Sequence, residues 1–391
     1  MSLDSLLEEV LAKNGSDLHL KVGRPPLIRV SGDLLPSEHP PLSADEIKAM
    51  VFSCFSELRA KQFQEELEVD FSYLIPEKAR FRGNAFYQMG QIGAVFRYIP
   101  LHVPTIDELG LPEVLKEIAL RQQGLVLFTG PTGVGKTTSM AAMVEHINQN
   151  RPCHIVTFED PIEFVFTDRL ATINQRQLGS DIRSFEQGLK HVLRQDPDVI
   201  LMGEMRDIET IESAMHASET GHLVFSTLHT NDCKQTIDRV LDMFQGDKML
   251  QLRSMLANTL LGVLSQLLVR RADGNGRLAA VEIMVNTPHV RQLIEKGETA
   301  EIEKAMRTGK FYYMQTFNQH LARMVVEGLI TAEEALENSA APSDLKLMLR
   351  GVTTGTESIQ QSEKERPEPA AKPGEEAPRK KPSITRPLRN A

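Results

Sequence analysis

The chain has 391 residues, 41% hydrophobic and 25% charged, with 44 basic against 53 acidic positions and a net charge of −9. This is the balance of a globular protein too long for one ordinary domain, so two domains and some additional chain are expected. The acidic excess gives no support for broad nucleic-acid binding, which usually needs a basic face, and leaves a local basic groove open.

Residues 1–100 read as an α+β unit. Leu3, Leu6, Leu7, Val10 and Leu11 share one face of a helix. "DLHLKV" alternates as a strand, and "LIRVSGDLLP" reads as two strands around a turn at Ser31–Asp33. Helical apolar spacing then runs from Glu46 to Phe63, and "DFSYLI", "RFRGNAFYQMG" and "IGAVFRYIP" read as sheet strands. Pro100 and Pro104 punctuate a linker, assigned to 101–122 with a helix.

Over 123–352 the rhythm changes. "GLVLFTG", "HIVTFED", "DVILMGE" and "HLVFSTLH" are short apolar runs separated by helical stretches, which predicts a mostly parallel sheet covered on both faces. "GRLAAVEIMV" is a further strand. Phe317, Leu321, Met324 and Val325 mark a core-facing helix, Thr331 with Glu334 makes a capping box, and Ser343 is placed to cap a last helix. From residue 353 the chain carries six of its 21 prolines and no aromatic residue, the composition of a disordered tail. Cys54, Cys153 and Cys233 form neither a CxxC pattern nor a disulfide framework, which fits a reducing cytoplasm. The start lacks a signal peptide's basic and apolar regions. No run approaches the roughly 20 apolar residues of a membrane span, so any membrane role is expected to be peripheral.

"GPTGVGKT" (Gly130, Pro131, Thr132, Gly133, Val134, Gly135, Lys136, Thr137), followed by Thr138, matches GxxxxGK[ST] between a strand and a helix. Glycines let backbone N–H groups turn around phosphates, and the helix N-terminus adds favourable dipole. Lys136 is placed to reach the β- and γ-phosphates, and Thr137 to offer its hydroxyl to Mg²⁺.

Hydrolysis also needs the metal held and a water oriented. Acids at the C-terminal ends of parallel strands are the expected source. One strand runs into Glu204, with Glu in the usual Asp position. Another runs into Glu159 and Asp160, with Glu163 just beyond Pro161. A lone acid there is ordinarily a solvated strand end; two clusters after a phosphate loop favour a role for at least one. His222 and His229 bound one apolar run, and either can sense a γ-phosphate. Arg80, Arg82 and Arg97 lie on first-domain strands and read first as a solvated sheet face, although such a domain can supply an arginine finger.

In order and spacing, "GPTGVGKTT", "TFEDPIEF", "LRQDPDVILMGEMRD" and "TGHLVFSTLHTND" resemble the secretion-type ATPases of type IV pili and type II secretion. With "GSDLHLKVGRPP" and "RFRGNAFYQ…GAVFRYIP", the chain looks like the pilus retraction ATPases, the PilT/PilU family, from about Leu3 to Gly351. The resemblance implies a PAS-like N-terminal domain, a RecA-like ATPase domain, ATP and Mg²⁺, and a homo-hexameric ring. It implies a cytoplasmic motor, peripheral to the inner membrane at the pilus base, that powers retraction and twitching through an inner-membrane platform protein. Among site residues it implies Glu163 as the catalytic glutamate and Glu204 for Mg²⁺ and water. Glu159 helps shape the metal's water shell, His229 faces the nucleotide, and Arg82 and Arg97 are offered to a γ-phosphate of the same or a neighbouring chain. A four-cysteine zinc insertion and a long N-terminal extension, present in extension and secretion relatives, are missing, which favours retraction. The family's AIRAG or AIRNL motif stands here as "HVRQL", His289–Leu293, with Arg291 kept. The C-terminal part looks closer to PilU, which implies an accessory ATPase working beside a paralogous retraction ATPase as the alternative. A RecA-like nucleic-acid motor is the remaining rival, disfavoured by the net acidity.

Overall fold

The computed structural model describes residues 2–351 apart from 31, 77, 100, 101, 180, 245 and 246. The tail expected from 353 and Pro100 of the linker lie outside the described residues.

Helix α1 (Leu3–Ala12) starts where the Ser2 hydroxyl accepts the Ser5 N–H, and it buries Leu3, Leu6, Leu7 and Val10. Strands β1 (Asp17–Leu20), β2 (Leu27–Val30) and β3 (Asp33–Pro36) follow. The apolar spacing expected to be one helix is two, α2 (Ala44–Ser53) and α3 (Glu57–Glu66). The Ser56 side chain accepts the Arg59 N–H and restarts the helix, which lets Phe63 turn inward against Phe52 and Phe55. Strands β4 (Glu68–Ile75), β5 (Ala79–Gln88) and β6 (Gln91–Ile99) complete a six-stranded sheet, ordered β3-β2-β1-β6-β5-β4, with antiparallel pairing throughout. This is the expected α+β, PAS-like unit. Along β5, Ala79, Phe81, Gly83 and Ala85 point into the helix-covered core, while Arg80, Arg82 and Asn84 lie on the opposite face. Gly83 is required there, because a Cβ would sit 2.3 Å from the Phe71 ring.

After α4 (Val114–Ala119) comes the α/β part: β7 (Gly124–Thr129), α5 (Lys136–Asn150), β8 (His154–Glu159), β9 (Thr172–Gln177), α6 (Phe185–Val192), β10 (Val199–Met202), α7 (Ile208–Glu219), β11 (Leu223–Leu228), α8 (Cys233–Asp242), α9 (Asp247–Thr259), β12 (Leu260–Arg270) and β13 (Arg277–Val285). The strand order is β13-β12-β7-β11-β10-β8-β9, parallel except for the β12–β13 hairpin. One face packs on α6 to α10 through Leu127, Phe158 and Val224, and the other on α4 and α5 through Phe128, Leu201 and Phe225; here α10 is Pro288–Lys296. Helices α11 (Ile302–Thr308), α12 (Phe317–Val326), α13 (Ala332–Glu337) and α14 (Pro342–Leu349) follow, and the last three close a small core on β12 and β13.

Two strands escape the sequence pattern. The alternation of β9 is carried by Asn174, Gln175, Arg176 and Gln177, so it has no apolar run to find. Strand β12 continues directly from α9, and an apolar run with no turn before it reads equally as helix. The expected capping box at Thr331 is half made: its hydroxyl accepts the Glu334 N–H, but the Glu334 carboxylate accepts the Arg270 N–H instead. Ser343 lies inside α14, which begins at Pro342 without a side-chain cap. Among the described residues, no helix is long and apolar enough to cross a membrane.

Candidate active site

Strand β7 is buried along its whole length and delivers the chain to Gly130 at the C-terminal edge of the sheet. There Gly130, Gly133 and Gly135 adopt φ values of 136°, 81° and 87°, a run that L side chains rarely follow. At Gly130 space is also exhausted, since a Cβ would lie 2.3 Å from the Gln266 carbonyl oxygen. The Gln266 side chain grips the same loop: its Nε2 donates to the Val134 carbonyl at 2.6 Å, and its Oε1 accepts the Ser139 hydroxyl at 2.7 Å.

Lys136 opens α5 and is 7% exposed. Its Nζ donates to the carbonyls of Gly130 (2.6 Å) and Pro131 (2.9 Å) and lies 3.5 Å from His229 Nδ1. Burial pushes its pKa down, and the Glu204 charge acts the other way. A desolvated ammonium whose close partners are neutral is the donor a polyphosphate completes, so the loop fits that group. Thr132, Gly133, Gly135, Lys136, Thr137 and Thr138 line a cleft of about 470 Å³. Gly130, Pro131 and Val134 support it from behind through their backbone.

Glu204, Glu159 and Glu163 line the far wall. Glu204 follows β10; the Thr227 hydroxyl donates to the Gly203 carbonyl at 2.6 Å and steadies that turn. Its Oε2 pairs with Arg206 at 2.8 Å and its Oε1 meets His229 Nε2 at 3.0 Å. Burial pushes the Glu204 pKa up, but Arg206 and His229 outweigh it and hold the carboxyl below its ordinary value. Glu204 is therefore an anion. The geometry suits a neutral His229 whose Nε2–H donates to Glu204 and whose Nδ1 accepts from Lys136, a tautomer assigned from the contacts.

Glu159 ends β8 and is 6% exposed. Its Oε1 accepts the Thr157 hydroxyl at 2.7 Å and Gln175 Nε2 at 2.9 Å, and burial pushes its pKa up. Its Oε1 is thereby tied to β8 and β9. Beyond the cis Asp160–Pro161 bond, Glu163 is exposed at the cleft. Of the three acids in this stretch, Asp160 and Glu163 are exposed at the cleft and both are open to a ligand.

His222 lies at the opposite end of β11, its Nδ1 2.9 Å from the Ala217 carbonyl oxygen, and takes no part in the cleft. Arg82 and Arg97 do not line the cleft of their own chain. Arg82 pairs loosely with Asp70 at 3.6 Å, and the Arg97 Nε donates to the buried Asp17 at 2.8 Å. Arg80, one step earlier on the same face, comes nearer: burial lowers its pKa, and the charges of Glu159 and Asp181 act against that shift. Sequence reasoning passed over Arg206 and Gln266 and treated Arg80 as part of a solvated face. The alternation of β5 places Arg80 beside Arg82, the one signal that could have drawn attention to it.

A phosphate loop on a central strand, faced by acids from the ends of its neighbours, is the layout of a P-loop ATPase. The chain belongs to the Type II/IV secretion system protein family, whose model matches residues 105–338. It is 46% identical over 344 residues to the "Type IV pilus retractation ATPase PilT" of Pseudomonas aeruginosa, covering 88% of this chain and 100% of that one. It is 40% identical over 350 residues to the "Type IV pilus ATPase PilU" of the same organism, covering 90% and 92%. The crystal structure of the pilus retraction motor PilT with bound ADP superposes with a TM-score of 0.84 at 40% identity, covering 88% of this chain and 99% of that one.

Proposed function

We propose that this ATPase works as a homo-hexameric ring that powers type IV pilus retraction and twitching motility. The observation that carries the chemistry is the buried Lys136 ammonium, bonded to loop carbonyls and sharing one cleft with Glu163 and with the Glu204–His229 pair. The relatives named for pilus retraction and the ADP-bound retraction motor support the biological reading.

Lys136 and the loop N–H groups bind and orient the phosphates of ATP. Glu163 orients the attacking water and draws off its proton. His229, held by Glu204, faces the γ-phosphate end. Thr137 would hold Mg²⁺ directly, with Glu204 and Glu159 acting through water, and the ion supplies neutralisation of charge on the phosphoryl oxygens. Among the described residues no cluster of three His, Cys, Asp or Glu could hold a metal unaided, which suits an ion bound largely through phosphate and water.

Arg82 and Arg97 sit on an outward sheet face away from their own cleft, so we assign them to a neighbouring chain's γ-phosphate. Residues 1–100, 101–122 and 123–352 act as arginine-bearing domain, linker and motor. Their relative motion passes to an inner-membrane platform protein, from the cytoplasmic side and without a nucleic-acid partner.

Glu163→Gln should bind ATP as the parent does and lose at least ~100-fold in turnover. A purified variant hydrolysing at the parental rate overturns the assignment. One observation favours a second reading, an accessory PilU-like ATPase: the C-terminal part of the sequence, which looks closer to PilU. The altered motif His289–Leu293, which opens α10 with His289 and Arg291 exposed, bears on how hydrolysis couples to retraction. A deletion strain that keeps full retraction through a paralogous motor decides for the accessory reading.

A further inference from the structure

The segment that carries Glu163 is held from an unexpected side, the polar edge strand β9. Parallel pairing sets Thr157 opposite Gln175 and Glu159 opposite Gln177, so these four side chains share one face. The Gln175 carboxamide uses both ends. Its Nε2 donates to Glu159 Oε1 at 2.9 Å and to the Phe164 carbonyl at 2.8 Å, while its Oε1 accepts the Phe166 N–H at 3.0 Å. Gln177 adds a longer contact, its Oε1 accepting the Ile162 N–H at 3.5 Å.

These contacts bracket Glu163 on both sides. Before it, Gln175 holds the Glu159 carboxylate at the end of β8, and Gln177 reaches the Ile162 N–H. After it, the backbone is fixed one and three residues on. Ile162 and Phe166 are buried anchors at 7% and 9% exposure, and Glu163 is exposed between them. The residue type matters. Glutamate offers no donor, lysine and arginine offer no acceptor, and asparagine is one methylene short. Glutamine is also a weak choice for a strand, so propensity does not account for it.

We infer that Gln175 is a positioning residue for hydrolysis: its carboxamide fixes the Asp160–Phe166 turn so that the Glu163 carboxylate meets the attacking water. This rests on the reading of Glu163 given above. Gln175 touches no substrate; it acts through Glu163, so its effect belongs in turnover and not in nucleotide affinity.

The test is a double-mutant cycle on the full chain: Gln175→Leu, Glu163→Gln and the pair, with turnover measured using labelled ATP, nucleotide affinity with a fluorescent ATP analogue, and thermal melting. Gln175→Leu should lower kcat by roughly 10- to 100-fold, the effect of a misplaced catalytic group, with affinity changed less than about threefold. Added to Glu163→Gln, it should change the residual rate by less than about twofold, because the group it positions is already gone. Gln175→Met repeats the measurement if the leucine variant does not fold. An unchanged kcat overturns the inference. So does an equal loss in both backgrounds, or a fall in affinity as large as the fall in kcat, since either marks a general structural role. If Glu163→Gln itself turns over at the parental rate, both readings fall; if it is inactive while Gln175→Leu is neutral or additive, only the role of Gln175 falls.

Discussion

His229 Nε2 lies 3.0 Å from Glu204 Oε1, tying the ends of the adjacent strands β11 and β10 across the mouth of the cleft. Glu204 has Arg206 on its other oxygen, so the imidazole is held by an anion that stays ionised. Replacing His229 by Ala removes that link and should lower kcat by about 100-fold, within the usual range for a positioned polar group. Gln at the same place can still donate to Glu204 and should recover part of the loss. Steady-state kinetics of the two variants check this, and equal rates would exclude an orienting role for the Glu204 contact.

The phosphate loop offers a matched pair of glycines. At Gly130 a methyl group meets the Gln266 carbonyl oxygen at 2.3 Å as well as a positive φ, whereas at Gly133 only the φ of 81° opposes it. Gly133→Ala should therefore cost about 1–2 kcal/mol of loop strain and weaken ADP modestly. Gly130→Ala should cost more and abolish measurable ADP binding. Calorimetry that found the two variants equally impaired would show that the grip of β12 on the loop is unimportant.

Arg82 and Arg97 should separate in stability. Arg82 is loosely paired between two partly exposed side chains, so Arg82→Ala should melt within about 0.5 kcal/mol of the parent. Arg97 holds the buried Asp17, whose pKa lies below its ordinary value because the Ser16 and Arg97 hydrogen bonds outweigh the upward push of burial. Arg97→Ala should lower stability by roughly 1 kcal/mol, a modest figure because the arginine itself is well exposed. Both variants should lose turnover. Adding Glu163→Gln chains, which keep both arginines, should restore part of it in mixed rings.

Two buried groups on facing elements titrate with opposite sign. Burial first, then Arg323, pushes His320 on α12 from its ordinary 6.5 to about 3, and burial pushes Glu282 on β13 from 4.5 to about 7. Between pH 3 and 6.5 the unfolded chain binds more protons at His320, so that term adds stability as pH rises. Between pH 4.5 and 7 the folded chain binds more protons at Glu282, so that term removes stability as pH rises. From 4.5 to 6.5 they oppose each other. His320→Gln, whose carboxamide oxygen can still accept the Val281 N–H, should tilt stability downward with rising pH relative to the parent. Glu282→Gln should tilt it upward, each by at most ~1.4 kcal/mol per pH unit. Thermal melts across this window decide; parallel slopes in all three proteins would count against the shifts.

Much of the α/β part is legible in the sequence because its central strands β7, β8, β10 and β11 are buried on both faces and so appear as unbroken apolar runs. Strand β9 was missed because an edge strand can spend its positions on glutamines, and β12 because no turn separates it from α9. The contiguous part of the site, from Gly130 to Thr138, was readable for the same reason: one stretch of chain builds it. Arg80 and Gln266 were not readable, since each reaches the site from a strand far away in sequence, and Gln175 was not because it lies on the polar edge strand β9, which has no apolar run to find. Periodicity could not rank the acids of "TFEDPIEF"; only the folded chain separates Glu159, buried with its Oε1 bonded to Thr157 and Gln175, from the exposed Asp160 and Glu163.

The grip of Gln266 on the phosphate loop gives β12 a mechanical character. Four residues past Gln266 the same strand reaches Arg270, whose N–H is bonded to Glu334 at the start of α13. At about 3.3 Å per residue this is a span of roughly 13 Å of extended chain. Over that length it is paired residue by residue with β13, while its pairing with β7 ends at Ser265, so β13 is the strand that keeps it from buckling. Loop and C-terminal helices are thus the two ends of one short, stiff rod. A shift of the Val134 carbonyl must either break a 2.6 Å hydrogen bond or travel along that rod into the helices.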